Sequence, residues 1–394
     1  PNKGVHVGQL KKAITLLEEA KKPMFLIGGG VNLAHAQQEM TKLAEKIDAP
    51  VITTVMGRGA ISTEHPLYIG NIGMHGSYAA NKTADECDLM FSIGCRFNDR
   101  VTGEIKKFAP NAKIVHIDIE SAAISRNVTV DIPIVADAKA AILKILEHTE
   151  PMEHKEWLDE IQGWDKEYPL QMKVKDGVNP QRIIETLNEV YADRDTVFTS
   201  DVGQHQMWAS QYLKLDATHR LVQSGGLGTM GFGLPSAVGA QIGCPEKSIV
   251  SISGDGGFQM NMQELATAVC QELPLVNIVF NNNRLGMVRQ MQELFFKKRY
   301  TITCLRYHKS CKGKCGTPGW VCPEYVPDFV KMAEAYGTKG YFVTEDEQLR
   351  DTILEARDYA EKNKKPVIVE CMIAPDELVM PMIKGGASFE DIML

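Results

Sequence analysis

Gly254-Asp255-Gly256 is followed, 27 positions after the aspartate, by Asn282, and the residues around and between them read as one strand–helix–strand unit. Ile249, Val250 and Ile252 form a short β-branched run that stops at the Gly-Asp-Gly turn, and Leu275 to Phe280 is a second apolar run ending in Asn281-Asn282-Asn283. Asn261 and Glu264 predict the N-cap and capping box of the intervening helix, which runs to about Glu272 before Pro274 stops it. A unit of this kind makes its strands parallel. Asp255 and Asn282 therefore sit at the carboxyl ends of neighbouring strands, where open α/β sheets bind ligands. A carboxylate and an amide carbonyl are a hard, oxygen-only donor pair that leaves most of an octahedron open, which suits Mg²⁺ bridging to phosphates. Gly256 and Gly257 are expected to leave room for those phosphates. Either half alone is more simply a turn or a loop; the two at this spacing point to a metal–phosphate site.

The elements that must position this pair recur along the chain. Gln9 to Ala20 has helical spacing, and Pro23 to Ile27 is a buried-type strand running into Gly28-Gly29-Gly30 and a polar helix through about Lys46. Bare backbone at a helix start is a seat for pyrophosphate, but Leu33 stands where G-x-G-x-x-G needs its third glycine, so simple strand–helix packing competes with a nucleotide there. Further strands are expected at Pro50–Val55, Cys87–Gly94 and Ala112–Ile119, with loops at Gly70–Gly76 and Gly94–Gly103 falling at strand ends. A charged, Trp-containing segment from about Glu147 to Lys175 reads as a linker helix. The βα pattern restarts at Pro180, with a strand at Thr196–Thr199 leading into Asp201-Val202-Gly203-Gln204-His205. His205, after a strand and at a helix start, reads equally as a buried histidine or an anion contact. The result is an α/β protein of two doubly wound parallel-sheet domains, 1–150 and 179–394, joined by a helix in 151–178.

Gly226 to Gly231 also fits G-x-G-x-x-G. Its preceding strand is short, Pro235 interrupts the next apolar segment, and the following strand waits until after Lys247, so the loop reads better as close backbone approach to a ring than as a dinucleotide turn.

With 44% hydrophobic and 24% charged residues, the 394-residue chain has ordinary globular composition. A net charge of −7 argues against a nucleic-acid surface, and the apolar runs are too short to span a membrane. Nine cysteines without a secretory signal are expected as thiols in a reducing cytoplasm.

The motifs GGG (28–30), GMHG (73–76), RFNDRVTG (96–103), DVGQHQMW (201–208), GLGTMGFGLP (226–235), GDG (254–256) and NNNRLGMV (281–288) closely resemble the large, catalytic subunits of acetolactate synthase (acetohydroxyacid synthase), thiamine-diphosphate enzymes of branched-chain amino-acid (valine and isoleucine) biosynthesis. The resemblance covers that family's middle and C-terminal domains. It implies that Asp255, Asn282 and the Arg284 carbonyl hold Mg²⁺, with Gly203, Gln204, His205, Gly256, Gly257, Gly286 and Met287 around the diphosphate, Met230 propping the bent cofactor and Gly228 facing its aminopyrimidine. It further implies that the middle domain, a Rossmann-like FAD-binding unit, uses Gly28, Gly29, Gly30, Thr54, Met74, His75, Gly76, Arg96, Asp118 and Asp137 for a FAD with no net redox role. Arg100 would meet the second substrate's carboxylate, and Met291 would line the acceptor pocket. The implied reaction condenses two pyruvates, or pyruvate with 2-oxobutyrate, with loss of CO₂, in a homodimer or tetramer with a small regulatory subunit. The activating glutamate of the family's first domain is not in this chain, so the isolated chain is expected to be inactive.

Three departures stand out: Asn98 for a common Asp, Met291 for a usual Trp, and a Cys-rich insert in 301–325 holding Cys304, Cys311, Cys315 and Cys322. A zinc site, a redox-labile pair and plain reduced thiols remain open for those cysteines, and the insert is expected to act as a lid or inter-subunit contact. Competing functional readings are another thiamine-diphosphate carboligase or decarboxylase, a nicotinamide dehydrogenase on Gly226–Gly231, and an inactive cofactor-binding fragment.

Overall fold

The computed structural model describes residues 4–174, 176–311 and 322–394. They form two compact units: residues 1–171 with 214–217 and 380–394, and residues 172–213 with 218–379. The sequence reading set its boundaries at 150 and 178. Residues 151–171 cluster with the first unit, where the helix Lys155–Glu167 buries Trp157 and its indole N–H donates to Pro23 O at 3.0 Å. The C-terminal residues belong there too, since the Ile383 N–H donates to Met74 O at 2.8 Å.

The first unit is built on six parallel strands: β1 (Pro23–Ile27), β2 (Val51–Thr53), β3 (Tyr68–Asn71), β4 (Leu89–Ile93), β5 (Lys113–Asp118) and β6 (Ile132–Val135), in the order β3-β2-β1-β4-β5-β6. Phe25 and Ile27 enter one core cluster and Met24 and Leu26 another, which is the two-residue period of a strand covered on both faces. Strand order reverses between β1 and β4, so a crevice opens where Gly28 and Gly94 end those strands. The helical stretch after β1 is two helices, Gly29–Leu33 and Gln37–Ile47, separated where His35 takes φ 51°.

The second unit repeats the plan with β7 (Thr196–Ser200), β8 (His219–Gln223), β9 (Ser248–Gly254), β10 (Leu275–Asn281), β11 (Lys339–Val343) and β12 (Val367–Met372), all parallel, in the order β11-β12-β10-β9-β7-β8. β7 lies beside β9 and β9 beside β10, with Ser200 opposite Ile252 and Gly254 opposite Phe280. That register places the residues after β7, β9 and β10 side by side at one sheet end.

One local reading fails. Asn261 does not start a helix: it closes the helix Asp255–Met260, and a second helix, Glu264–Cys270, begins after Gln263. The side chain is engaged at both ends: Nδ2 donates to Gly231 O at 2.7 Å, and Oδ1 accepts from Gln263 Nε2 at 3.3 Å and not from a backbone N–H of the second helix.

Candidate functional site

Asp255 begins the helix directly after β9 and is 2% exposed. Its Oδ1 accepts the Gly256 N–H at 2.9 Å; Oδ2 is buried and makes no hydrogen bond of ordinary geometry among the described residues, with the Tyr325 hydroxyl facing the same carboxyl. Burial pushes the carboxyl up to about 8, against the Gly256, Asn283 and Arg284 N–H groups that favour its charge; Glu370 adds repulsion. A carboxyl in such a place is either protonated or partnered by a cation.

The neighbouring turn is held from both sides. Asn281 Oδ1 accepts the Asn283 N–H at 2.9 Å and Asn282 Oδ1 accepts the Arg284 N–H at 3.0 Å, with Asn283 at φ 57°, a conformation asparagine tolerates. Below, buried Glu370 in the middle of β12 accepts from Asn281 Nδ2 at 2.6 Å, which favours a charge that burial raises in pKa. Beyond the turn, Leu285 N–H donates to Thr303 O and Leu305 N–H to Asn283 O, so residues 303–305 pair with 283–285. The helix Gly286–Phe295 then begins at a position where a Cβ would stand 2.1 Å from Gln204 Oε1 and 2.6 Å from Asn282 Nδ2. Any side chain there would push the ends of Gln204 and Asn282 away.

Gln204 and His205 start the helix that follows β7. His205 is wedged so that a Cβ at Gly203 or at Gly254 would lie 2.9 Å from its ring. Burial pushes it down to about 4, so the ring is neutral at physiological pH, and its Nε2 is buried with no partner among the described residues. Met230, Leu285 and Leu305 converge on Gly256, where an added Cβ would meet them at 3.8, 2.8 and 3.3 Å. Gly228 takes φ 66° in an exposed loop, and Met287 and Met291 lie one turn apart on the helix Gly286–Phe295. Thus the structure brings Asp255, Asn282, Gln204, His205, Gly256, Gly286 and Met230 to one sheet end. Of the insert's cysteines, Cys304, Cys311 and Cys322 have free thiols, and Cys315 lies outside the described residues.

In the first unit the remaining predicted residues gather around the carboxyl ends of β1 to β6 in different ways. A Cβ at Gly28 would lie 2.1 Å from Gly94 O, at Gly30 2.7 Å from Gly94 Cα, and at Gly76 2.3 Å from Asn71 O, whereas Gly29 faces Met56. Thr54 and Asp137 cap local turns, accepting from Gly57 N and Ala140 N, and Asp118 accepts the Glu120 N–H at 2.8 Å. Arg96 is exposed, and burial pushes His75 down to about 4. Arg100 lines an open cleft together with Met74, Lys107, Lys384 and Phe389. The short helix bearing it is capped by Asn98, whose Oδ1 accepts the Val101 N–H at 3.2 Å.

Comparison with known proteins agrees with this geometry. The central domain of the thiamine pyrophosphate enzymes matches residues 10–145, and their C-terminal TPP binding domain matches residues 201–371. The chain belongs to the thiamine pyrophosphate enzymes. Among curated relatives, the probable acetolactate synthase large subunit of Methanococcus aeolicus is 40% identical over 98% of this chain and 64% of its own length. The acetolactate synthase large subunit of Corynebacterium glutamicum is 40% identical over 98% and 60%, and the isozyme 3 large subunit of Escherichia coli 38% over 98% and 65%. The chain therefore spans somewhat under two thirds of the length of these relatives. Among the described residues no helix is long and apolar enough to cross a membrane.

Within this thiamine pyrophosphate enzyme chain, one positioning residue stands in a motif with no role assigned to it from the sequence. Asp201, 1% exposed, accepts the N–H groups of Val202 and Gly231 on Oδ1 (2.8 and 3.0 Å) and of Gly233 on Oδ2 (2.8 Å). It thereby ties the Gly226–Gly231 loop to the end of β7. A Cβ at Gly257 would lie 2.3 Å from Asp201 Oδ1, so glycine at 257 makes way for this carboxylate. The available signal was an aspartate immediately after a buried strand.

Proposed function

We propose that this chain is the FAD- and thiamine-diphosphate-binding part of an acetolactate synthase large subunit, acting on pyruvate with pyruvate or 2-oxobutyrate as acceptor, alongside a small regulatory subunit. The observation that carries the reading is Asp255: a buried carboxyl beside the Asn282 turn, with an oxygen that makes no ordinary hydrogen bond among the described residues, has the donor chemistry of a Mg²⁺ site. Asp255, Asn282 and the Arg284 carbonyl would hold the ion, and Gln204, His205 and the glycines at 203, 256 and 286 would surround the diphosphate. The buried His205 Nε2, without a partner among the described residues, fits a phosphate-facing role as a neutral ring. When bound, thiamine diphosphate supplies the carbanion chemistry of 2-oxo-acid decarboxylation and carboligation. The chain's own part is to fix the diphosphate end, to hold Met230 over Gly256, and to offer the exposed Arg100 guanidinium to a substrate carboxylate. The glycines and short polar caps at the carboxyl ends of the first sheet are the proposed FAD seat.

Isothermal titration of the purified chain with thiamine diphosphate, with and without Mg²⁺, is the test. Binding should require Mg²⁺ and be lost in Asp255→Ala; equal affinity in the variant sinks the metal assignment. A yellow, flavin-absorbing preparation, or one that takes up FAD, favours acetolactate synthase over a flavin-free carboligase. Acetolactate should form from pyruvate once a glutamate-bearing α/β domain from a relative is supplied.

A further inference from the structure

We infer that Gln290 is a positioning residue that fixes which end of the Asn282 amide faces the metal turn. The inference rests on the Mg²⁺ role proposed for Asp255 and Asn282.

A primary amide is nearly symmetric in shape, so its hydrogen-bond partners decide where its oxygen and nitrogen point. Gln290 is fully buried on the helix Gly286–Phe295, one turn after Gly286 and hence on the same helix face. The Val379 backbone brackets it: the Val379 N–H donates to Gln290 Oε1 at 2.8 Å, and Gln290 Nε2 donates to Val379 O at 3.1 Å. A backbone N–H and C=O cannot exchange roles, so this amide has one permitted orientation.

The orientation propagates. Gln290 Oε1 also accepts from Gln204 Nε2 at 2.9 Å, and the same nitrogen donates to Glu377 O at 2.8 Å. With its nitrogen held by two acceptors, Gln204 turns Oε1 toward Asn282, whose Nδ2 donates to it at 3.3 Å. Asn282 is left with Oδ1 on the Arg284 side, beside Asp255, where a hard cation needs an oxygen. The Arg284 N–H favours the same orientation, but a cation competes for that oxygen. The Val379–Gln290–Gln204 relay holds the amide through its other end and so survives the competition. The close approach at Gly286 keeps the cluster compact.

The test is titration of Mg²⁺ into the chain at saturating thiamine diphosphate, comparing the parent sequence with Asp255→Ala, Gln290→Leu and Gln290→Glu between pH 6 and 8. Gln290→Leu removes the relay at nearly constant volume and should weaken Mg²⁺ about 10- to 100-fold, as loss of a ligand-orienting partner does. In Gln290→Glu the protonated carboxyl can donate to Val379 O and accept from its N–H, whereas the carboxylate has no donor. Burial raises such a pKa, so Mg²⁺ affinity relative to the parent at the same pH should recover as pH falls. Parent-like Mg²⁺ affinity in both variants, or a uniform loss in Gln290→Glu with no recovery at low pH, overturns the positioning role. If Gln290→Leu does not fold, the pH-dependent recovery decides alone. Asp255→Ala separates the layers: if it binds Mg²⁺ as the parent does, the metal reading itself has failed.

Discussion

The turns after β1 and after β9 are both glycine-rich, both end buried parallel strands and both lead into short helices, yet they differ in what their glycines are for. At Gly28–Gly30 the neighbour is other backbone: a side chain at Gly28 or Gly30 would collide with Gly94. At Gly254–Gly257 the neighbours are the His205 ring, Leu285 and the Asp201 carboxylate, and in their midst stands the buried Asp255 carboxyl. The first turn satisfies itself. The second holds a buried carboxyl that must either keep its proton or meet a cation, and that titratable group, more than the glycines, marks a chemical site.

The sharpest way to break this contrast is through charge. Asp255 has its folded-state pKa raised to about 8 from an ordinary 3.8. In the cation-free chain its contribution to stability is therefore fully present below about pH 4 and is lost as pH rises toward 8. A cation must displace the proton, so Mg²⁺ affinity should climb over the same interval, by about tenfold per unit well below pH 8, flattening as pH approaches 8 and levelling off above it. Asp255→Asn should abolish both trends and leave cation binding weak at every pH. Calorimetry in buffers of different ionisation enthalpy reads the released proton directly; no proton release on Mg²⁺ binding at pH 7 would place the charge elsewhere.

What the chain discloses before folding is the set of strand ends, because β-branched apolar runs stopped by glycine, asparagine or proline carry their own boundaries. Thr196 to Ser200, Ser248 to Gly254 and Leu275 to Asn281 are all legible in this way, and parallel pairing then brings Asp255 and Asn282 together. The partners that come from far along the chain are not legible. Asn261 carries a good local capping pattern and spends its amide on Gly231, 30 positions earlier; Asp201 serves Gly231 and Gly233, 30 and 32 positions later. Glu370 looks like an exposed strand residue until β12 is found between β10 and β11, where its carboxylate meets Asn281, 89 positions away. Gln290 has no motif because its partner is the backbone of Val379.

Steric substitutions sharpen the same comparison with an intermediate effect. Gly28→Ala drives a methyl against the Gly94 carbonyl and should destabilise the protein by about 1–3 kcal/mol, by the same amount with and without Mg²⁺. Gly257→Ala presses on the Asp201 carboxylate instead, which moves the Gly231–Gly233 turn. Its destabilisation should be of similar size, but thiamine diphosphate affinity should fall as well. Denaturant unfolding paired with cofactor titration distinguishes the two, and identical behaviour of the variants would erase the distinction drawn between the turns.

The smallest expected effect concerns the loop of Arg100, where Asn98 stands in place of the aspartate common in the family it resembles. Its side chain accepts the Val101 N–H at 3.2 Å and so caps the helix Asp99–Thr102 that carries the arginine. Asparagine and aspartate are nearly equivalent caps, because each offers one side-chain oxygen to an otherwise unpaired helix N–H, and alanine offers none. Asn98→Asp should then change stability by no more than about 0.5 kcal/mol, whereas Asn98→Ala should cost about 1 kcal/mol. If Arg100 meets the substrate carboxylate as proposed, the same ranking is expected in the Michaelis constant for pyruvate of the completed enzyme, since a frayed helix loosens Arg100 without removing its charge. If Asn98→Ala were as stable as the parent while Asn98→Asp altered substrate affinity, the residue would be acting through its charge state on the substrate, and the cap would be incidental.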